Sequence, residues 1–415
     1  MDLRESMRCQ TDVALTITKH LFSKQEYQDK NLMFSPLSLH AVLSLLAAGS
    51  AGSTLDELLS FLRFDSIDHL NTFFSQLISA AAPSSHPLTF VNGMWVDKSV
   101  SLSNSFKQLL ATHYKTSLSS VDFQTKLIIR DGGSINYDFG VDLKGDQVCQ
   151  EVNSWVEKET KGLITDLFPP KAADKLTRLV CANALSFKGE WKHKFDASCN
   201  NKFYLLNGTS IKVPFISNGK KTQYIRTFDS FKVLRLSYKQ GRDEKRRFSM
   251  CIFLPDAKDG LPALIEKLAS ESGFLKGKLP RRKVRVHTFK IPKFKISYTL
   301  EASNLLKELG VVSPFSQLDA DFTKMGDSPS EGGVSVESMF HKVSIEVDAQ
   351  CTKATAAAGS LLGTYFRPAG IDFVANHPFL FLIREDLTGT FLFIGQVLNP
   401  LDGADPLVKV CNFNI

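Results

Sequence analysis

The chain of 415 residues contains no run of about 18 apolar residues, the length that crosses a bilayer, so no transmembrane helix is expected. Its start, MDLRESMRCQTDVALTITKHLF, carries Asp2 and Glu5 and leads into no long apolar core of a signal peptide. A cytoplasmic chain is therefore the expectation. Seven cysteines are scattered as Cys9, Cys149, Cys181, Cys199, Cys251, Cys351 and Cys411, an odd number with no C-x-x-C pair. That distribution suits a reducing compartment better than a disulfide framework, and the spacing of a zinc site is missing. Also missing are the phosphate loop G-x-x-x-x-G-K-S/T, the metalloprotease helix H-E-x-x-H, a strand-borne G-x-G-x-x-G and the serine elbow G-x-S-x-G. No cofactor is implied, and an enzyme is not expected. The net charge of +7 is too mild to imply nucleic acid. One glycosylation sequon, Asn207-Gly208-Thr209, matters only on a secretory route.

The residues that are present change character along the chain. The first 120 or so read as mostly helical. TDVALTITKHLF has helical apolar spacing after a Thr-Asp start. SPLSLHAVLSLLAAG opens with Ser35-Pro36, a cap and a first-turn proline, and stops at Gly49. STLDELLSFL opens with Ser53 as a cap candidate, and SNSFKQLLATHY reads as a further helix. LTFVNGMWVDKS and LSSVDF read as strands among them. Residues 127–146, with four glycines, read as an inserted surface loop before the helix QVCQEVNSWVEKETKG. From Leu179 the strands dominate: LVCANALSFKGEW, FKVLRLSY, FSMCIFLPD, VRVHTFKIPKFKISYT, VSIEVD and FLFLIRED–GTFLFIGQV. LPALIEKLAS and EASNLLKELG interrupt them as helices. Helices first, strands later and no regular alternation predict an α+β fold in one large domain, residues 1–415.

Three features stand out against that background. His341 and His377 each begin a strand-like run and read as satisfied structural histidines. The segment 276–295, KGKLPRRKVRVHTFKIPKFK, is strongly basic; its alternation favours a strand with one solvated basic face, with an anion patch as the other reading. The third feature is QCTKATAAAGSLLGTYFRPAG, residues 350–370, a long stretch of small residues between two strands, ending in Tyr365-Phe366. It is too small for a core and too uncharged for an ordinary solvated loop.

The chain resembles the serpin family, and plant serpins in particular. NLMFSPLSLHAVLSLLAAGSAGSTLDELL (31–59) looks like the family's early buried helix. LTRLVCANALSFKGEW (176–191) looks like its N-A-L-x-F-K-G-x-W strand. RFSMCIFLPD (247–256), FKIPKFKISYTLEASNLLKELG (289–310), HKVSIEVD (341–348) and DFVANHPFLFLIREDLTGTFLFIGQVLNP (372–400) follow in family order. The resemblance implies helices packed on large mixed and antiparallel sheets, with residues 349–370 as an exposed reactive loop. It implies a protease inhibitor that acts as a suicide substrate: the loop is cut, then inserts into the main sheet and traps the protease as a covalent complex. The insertion at 127–146 departs from the plant pattern.

As a strand, the hinge would put Thr352, Ala354, Ala356 and Ala358 on one face and Cys351, Lys353, Thr355, Ala357 and Gly359 on the other. The first face is uniformly small, which avoids overpacking, and the one charge falls on the other. Family inhibitors begin this hinge with acidic residues and a glycine; here stand Ala349, Gln350 and Cys351. Counting forward puts the cut at Tyr365–Phe366, and counting back puts it at Leu362–Gly363. By resemblance, Ser35, Ser38, Asn183 and His341 control sheet opening, and Trp191 packs where the loop enters. The implied partner is a protease, chymotrypsin-like or papain-like, met by a monomer, with neither nucleic acid nor membrane involved. The family is often extracellular, which leaves compartment open. The alternative function is a serpin-fold binding protein whose loop is cut without trapping.

Overall fold

A computed structural model describes residues 3–81, 88–123, 143–169, 172–174, 177–218, 222–240, 246–270, 275, 277–327, 334–337, 339–348 and 370–403. The chain divides into two compact units. One comprises Met1–Val13, Phe34–Phe187 and Tyr298–Ser344; the other comprises Ala14–Met33, Lys188–Ser297 and Ile345–Ile415. Helix α1 (Leu3–Ser23) belongs partly to each, and the strands Leu32–Phe34, Phe294–Glu301 and Met339–Val347 also cross the boundary and are described with the sheet they join.

The first unit holds α2 (Pro36–Gly49), α3 (Gly52–Leu62), α4 (Ile67–Ala81), α5 (Asn104–Leu109), α6 (Leu143–Glu159) and α8 (Ala302–Glu308). Its sheet has five strands in the order β12 (Phe294–Glu301), β14 (Met339–Val347), β5 (Leu179–Phe187), β2 (Leu88–Asp97) and β4 (Ser117–Val121). β5 runs antiparallel to β2, with Asn183 opposite Asn92, and β4 runs parallel to β2. A short pair, β3 (Ser101–Leu102) with β13 (Gly326–Asp327), completes it. Every residue of β5 is buried, so both of its faces are covered.

The second unit holds α7 (Leu261–Ser270) and a ten-stranded sheet. The strand order is β1 (Leu32–Phe34), β17 (Phe391–Val397), β16 (Phe379–Glu385), β10 (Phe248–Pro255), β9 (Phe231–Ser237), β8 (Thr222–Thr227), β11 (Lys283–Pro292), β7 (Ser210–Ser217) and β6 (Asp196–Tyr204). β15 (Ile371–Val374) lies parallel to β11 beside this path. β10 and β16 are buried along almost their whole length, as their unbroken apolar runs require.

Local chemistry explains most boundaries. Ser35 caps α2: its Oγ accepts the Ser38 N–H at 3.1 Å, and Pro36 occupies the first turn. Ser103 caps α5 in the same way. Three expectations need correction. The first helix begins at Leu3 rather than near Thr11. Ser53 is not a cap, because α3 starts one residue earlier. There the Ala51 N–H reaches the Asp321 carbonyl at 2.9 Å, and Thr54 exchanges hydrogen bonds with the 319–321 segment, so tertiary contacts replace the cap. Residues 143–146, read as loop, form the first turn of α6; residues 127–142 lie outside the described residues. Gly145 is needed there for closeness, since a Cβ would collide with the Ala173 carbonyl.

The basic segment does form a strand. Lys283, Arg285 and His287 are exposed on one face of β11, while Val286 is buried. The alternation slips between Val286 and Phe289, where the register with β15 shifts, so Phe289 and Ile291 are buried beyond it.

Gly145→Ala is expected to destabilise the fold by about 1–3 kcal/mol through overpacking. The check is the midpoint of urea unfolding, which should fall clearly below that of the parent chain.

Candidate functional site

The site begins where β14 meets β5 in the five-stranded sheet. β14 alternates: Met339, His341, Val343, Ile345 and Val347 are buried, and the intervening residues are more exposed. That parity turns His341 inward toward the start of α2. Its Nε2 accepts the Ser35 N–H at 2.9 Å, so this nitrogen is unprotonated. Nδ1 then carries the proton and donates to Ser38 Oγ at 3.1 Å. Ser35 Oγ closes the circuit by accepting the Ser38 N–H. Ser35, Ser38 and His341 are almost fully buried, and burial pushes the His341 pKa down to about 3. A neutral imidazole thus ties β14 to the N-terminus of α2.

Asn183 on β5 faces a second set of partners. Its amide donates to Asn92 Oδ1 on β2, while Asn92 donates weakly to the Tyr114 carbonyl at 3.4 Å. Tyr114 Oη in turn reaches the Ser44 carbonyl at 2.9 Å and Asn71 Oδ1 at 2.6 Å. Asn183 Oδ1 and Ser186 Oγ are buried without a hydrogen-bond partner among the described residues. The structure therefore brings Ser35, Ser38 and His341 into one circuit and places Asn183 in a neighbouring chain through Asn92 and Tyr114. Asn92 and Tyr114 were missed from sequence, because nothing local marks an Asn in a strand or a Tyr after a helix as members of a network.

The other face of the sheet carries α6. Val148, Cys149, Val152 and Val156 repeat at helical spacing and pack with Val180, Ala182 and Ala184 of β5 and Trp95 of β2. Trp95 Nε1 donates to Glu151 at 3.3 Å, and its ring meets Trp155 edge-on at 5.1 Å. Lys342 Nζ on β14 donates to the carbonyls of Thr165 at 2.6 Å and Asp166 at 3.2 Å, beyond the end of α6. Val180, Ala182 and Ala184 of β5 thus give α6 an apolar contact, and Phe340 of β14 packs against the same cluster.

The second unit fixes both ends of the segment 349–369. Trp191 Nε1 donates to the Asp348 carbonyl at 3.0 Å, and Lys293 pairs with the Asp348 carboxylate at 2.7 Å. The Trp191 ring stacks on Tyr238 at 4.4 Å and meets Phe195 edge-on. At the far end, Gly370 abuts the His287 ring, and Ile371 pairs with Val286. His377 donates from Nε2 to the Pro255 carbonyl at 2.8 Å and is structural, as its sequence position suggested. The hinge residues Cys351, Thr352, Lys353, Ala354, Thr355, Ala356, Ala357 and Ala358 lie outside the described residues. So do both candidate cut sites, Tyr365–Phe366 and Leu362–Gly363.

His341 has a pH consequence. Its folded pKa is lowered, so its contribution to stability is complete above about pH 6.5 and is lost as pH falls toward 3. His40 on α2, buried between Phe64 and Phe73 with a pKa also lowered to about 3, adds a loss of the same sign. Unfolding free energy should fall by about 1.4 kcal/mol per pH unit for each histidine near pH 5. His341→Asn should remove about one proton's worth of that slope in urea titrations from pH 7.5 to 5.

Comparisons with known proteins agree on one identity. The family described as Serpin (serine protease inhibitor) matches residues 8–400. Serpin-ZX of Arabidopsis thaliana is 46% identical over 412 residues, covering 97% of this chain and all of the relative. Serpin-ZXA of rice is 46% identical over 96% of this chain and 98% of the relative. Among solved structures, the native stressed conformation of Arabidopsis AtSerpin1 superposes with a TM-score of 0.83 at 44% identity, covering 97% of this chain and 99% of that one. A serpin from the insect Tenebrio molitor, 24% identical, shares the fold at a TM-score of 0.76 over 96% of this chain and 98% of its own. Among the described residues no helix is long and apolar enough to cross a membrane. The chain belongs to the serpin family, whose members are generally protease inhibitors rather than enzymes.

Proposed function

We propose that this chain inhibits proteases as a suicide substrate, as one domain over residues 1–415, a monomer meeting its target in the cytoplasm. The observation that carries this reading is the continuity of β14 with the small-residue segment that follows it, in a sheet where β14 is the direct neighbour of fully buried β5. A protease nucleophile attacks the Tyr365 carbonyl carbon. The bond to the Phe366 nitrogen breaks, that nitrogen leaves as a free amine, and Tyr365 remains as an acyl ester, or as a thioester on a cysteine protease. The freed segment then folds back beside β14 and parts it from β5. Thr352, Ala354, Ala356 and Ala358 face inward, toward the apolar layer in which Ala182 and Ala184 of β5 lie beneath α6, and their small size avoids overpacking there.

In this reading Ser35, Ser38 and His341 hold β14 closed until the cut, and Asn183 steadies β5. Trp191 and Lys293 set the entry point by holding Asp348. An apolar residue at the cut favours a protease with a deep apolar primary pocket, chymotrypsin-like or papain-like. Arg367 is an unsuitable site, because Pro368 follows it and offers no ordinary amide N–H. A cut at Leu362–Gly363 would keep the same chemistry with a shorter inserted strand. The second reading, cleavage without trapping, is favoured by Cys351, which stands where family inhibitors place a freely flexing glycine.

Mixing the protein with chymotrypsin should give a complex that survives a denaturing gel, with mass spectrometry placing the cut after Tyr365. Clean cleavage with fully active protease would support the second reading instead. Ala356→Glu should convert trapping into simple cleavage: the complex band disappears and the nicked chain accumulates. The reason is that insertion would bury an unpaired carboxylate, a cost of several kcal/mol.

A further inference from the structure

The basic strand β11 has a neighbourhood that the inhibitory reading does not use. Lys283 lies opposite Tyr224 of β8, and Tyr224 lies opposite Arg235 of β9. The Tyr224 ring thus sits between two cations, with Lys283 Nζ at 5.3 Å and the Arg235 guanidinium at 5.7 Å from its centre. The same arrangement recurs at the end of β8. Phe228 has the Arg226 guanidinium at 4.9 Å and Lys278 Nζ at 5.0 Å. Arg226 also donates to the Gly277 carbonyl. Arg285 is two residues from Lys283 and shares its exposed face. Ring contacts of this kind hold long cationic side chains in place without neutralising them. Arg235 is answered by Asp386 at 2.8 Å, and the Asp372 carboxylate is taken by the Thr288 N–H at 2.9 Å. Among the described residues, Arg226, Lys283 and Arg285 have no ion-pair partner. A belt of positive charge, without an ion pair at Arg226, Lys283 and Arg285, therefore crosses β8 and β11.

Its position gives it a partner. Val286, next to Arg285, pairs with Ile371, the first residue of β15, and the His287 ring touches Gly370. The belt thus begins beside the point where the segment 349–369 ends. Phe366 is a few residues upstream of Gly370, and extended chain spans at most about 3.5 Å per residue. A protease seated on Tyr365–Phe366 is held within about 15 Å of the start of the belt.

We propose that the belt of Arg226, Lys278, Lys283 and Arg285, with Tyr224 and Phe228, is an exosite that docks an acidic face of the protease cutting the loop. It rests on the inhibitory reading for its partner and adds what that reading lacks, a source of selectivity outside the cut bond. Charge complementarity of this kind acts chiefly on the rate of encounter and falls with salt.

Two assays on the full chain test it, each against a triple reversal, Arg226→Glu with Lys283→Glu and Arg285→Glu. The control is Lys98→Glu with Lys107→Glu and Lys158→Glu, which changes net charge equally on exposed lysines of the first unit. Matching far-ultraviolet circular dichroism and urea midpoints establish folding. The first assay measures binding of a fluorescent octaglutamate peptide at low and at physiological salt. The belt reversal should weaken binding about tenfold, and the control by about twofold or less. The second compares the rate at which native chymotrypsin and chymotrypsin succinylated on its lysines cut the loop. Succinylation should speed cutting of the parent chain, and the belt reversal alone should abolish that advantage. Equal effects of both reversals in the peptide assay would overturn the exosite. Tighter binding of dextran sulfate than of octaglutamate, lost in the belt reversal, would assign the belt to a polysaccharide and also overturn it. If chymotrypsin leaves the loop intact, the inhibitory reading fails at that protease, while the peptide assay still decides the belt.

Discussion

The junction between β14 and β5 is the contact on which the rest of this molecule depends. It lies inside a five-stranded sheet, with the N-terminus of α2 on one face and α6 on the other. Burial alone would make such a junction permanent. Its covering is instead graded. On the α2 side a three-residue polar circuit, built on one neutral imidazole, supplies directional bonds that can be broken one at a time. On the α6 side the covering is apolar: valines of α6 pack with Val180, Ala182 and Ala184 of β5, and Trp155 and Trp95 add large rings to the same cluster.

The two units divide the labour. The first contains the polar circuit and the sheet; the second fixes the chain at Asp348 and again at Gly370. In the proposed reading the small-residue segment between these points has two places, solvent and sheet, and the uncut arrangement is governed by the barrier to rearrangement rather than by equilibrium stability. Two buried polar atoms, Asn183 Oδ1 and Ser186 Oγ, are unpartnered on β5 among the described residues. They are the kind of incomplete network that a better-filled sheet would satisfy.

Much of this was legible in sequence because it is encoded locally. Ser35-Pro36 announced the start of α2, and the apolar runs of β10, β16 and β17 announced buried strands. The alternation of HKVSIEV gave both β14 and the inward orientation of His341. The remainder needed three dimensions. Ser53 looked like a cap, but the chain at 319–321 supplied the bonds instead. Residues 143–146 looked like loop because Gly145 weakens a helix, whereas Gly145 is there to let α6 approach Ala173. The polar β6 strand carried no periodic signal, and Asn207-Gly208, read only as part of a sequon, turns out to join it to β7, with Gly208 at φ +81. Asn92, Tyr114, Lys293 and the paired-cation rings of Tyr224 and Phe228 join residues far apart in the chain, which no local pattern reveals.

Whether β14 and β5 part to admit the segment that follows β14 can be read by nicking the chain between residues 359 and 366 with a protease and comparing thermal unfolding of intact and nicked protein. If the freed segment enters the sheet, the nicked protein unfolds at a much higher temperature than the intact one. If the nicked protein unfolds at the same temperature or below it, the junction stays closed and the segment does not insert.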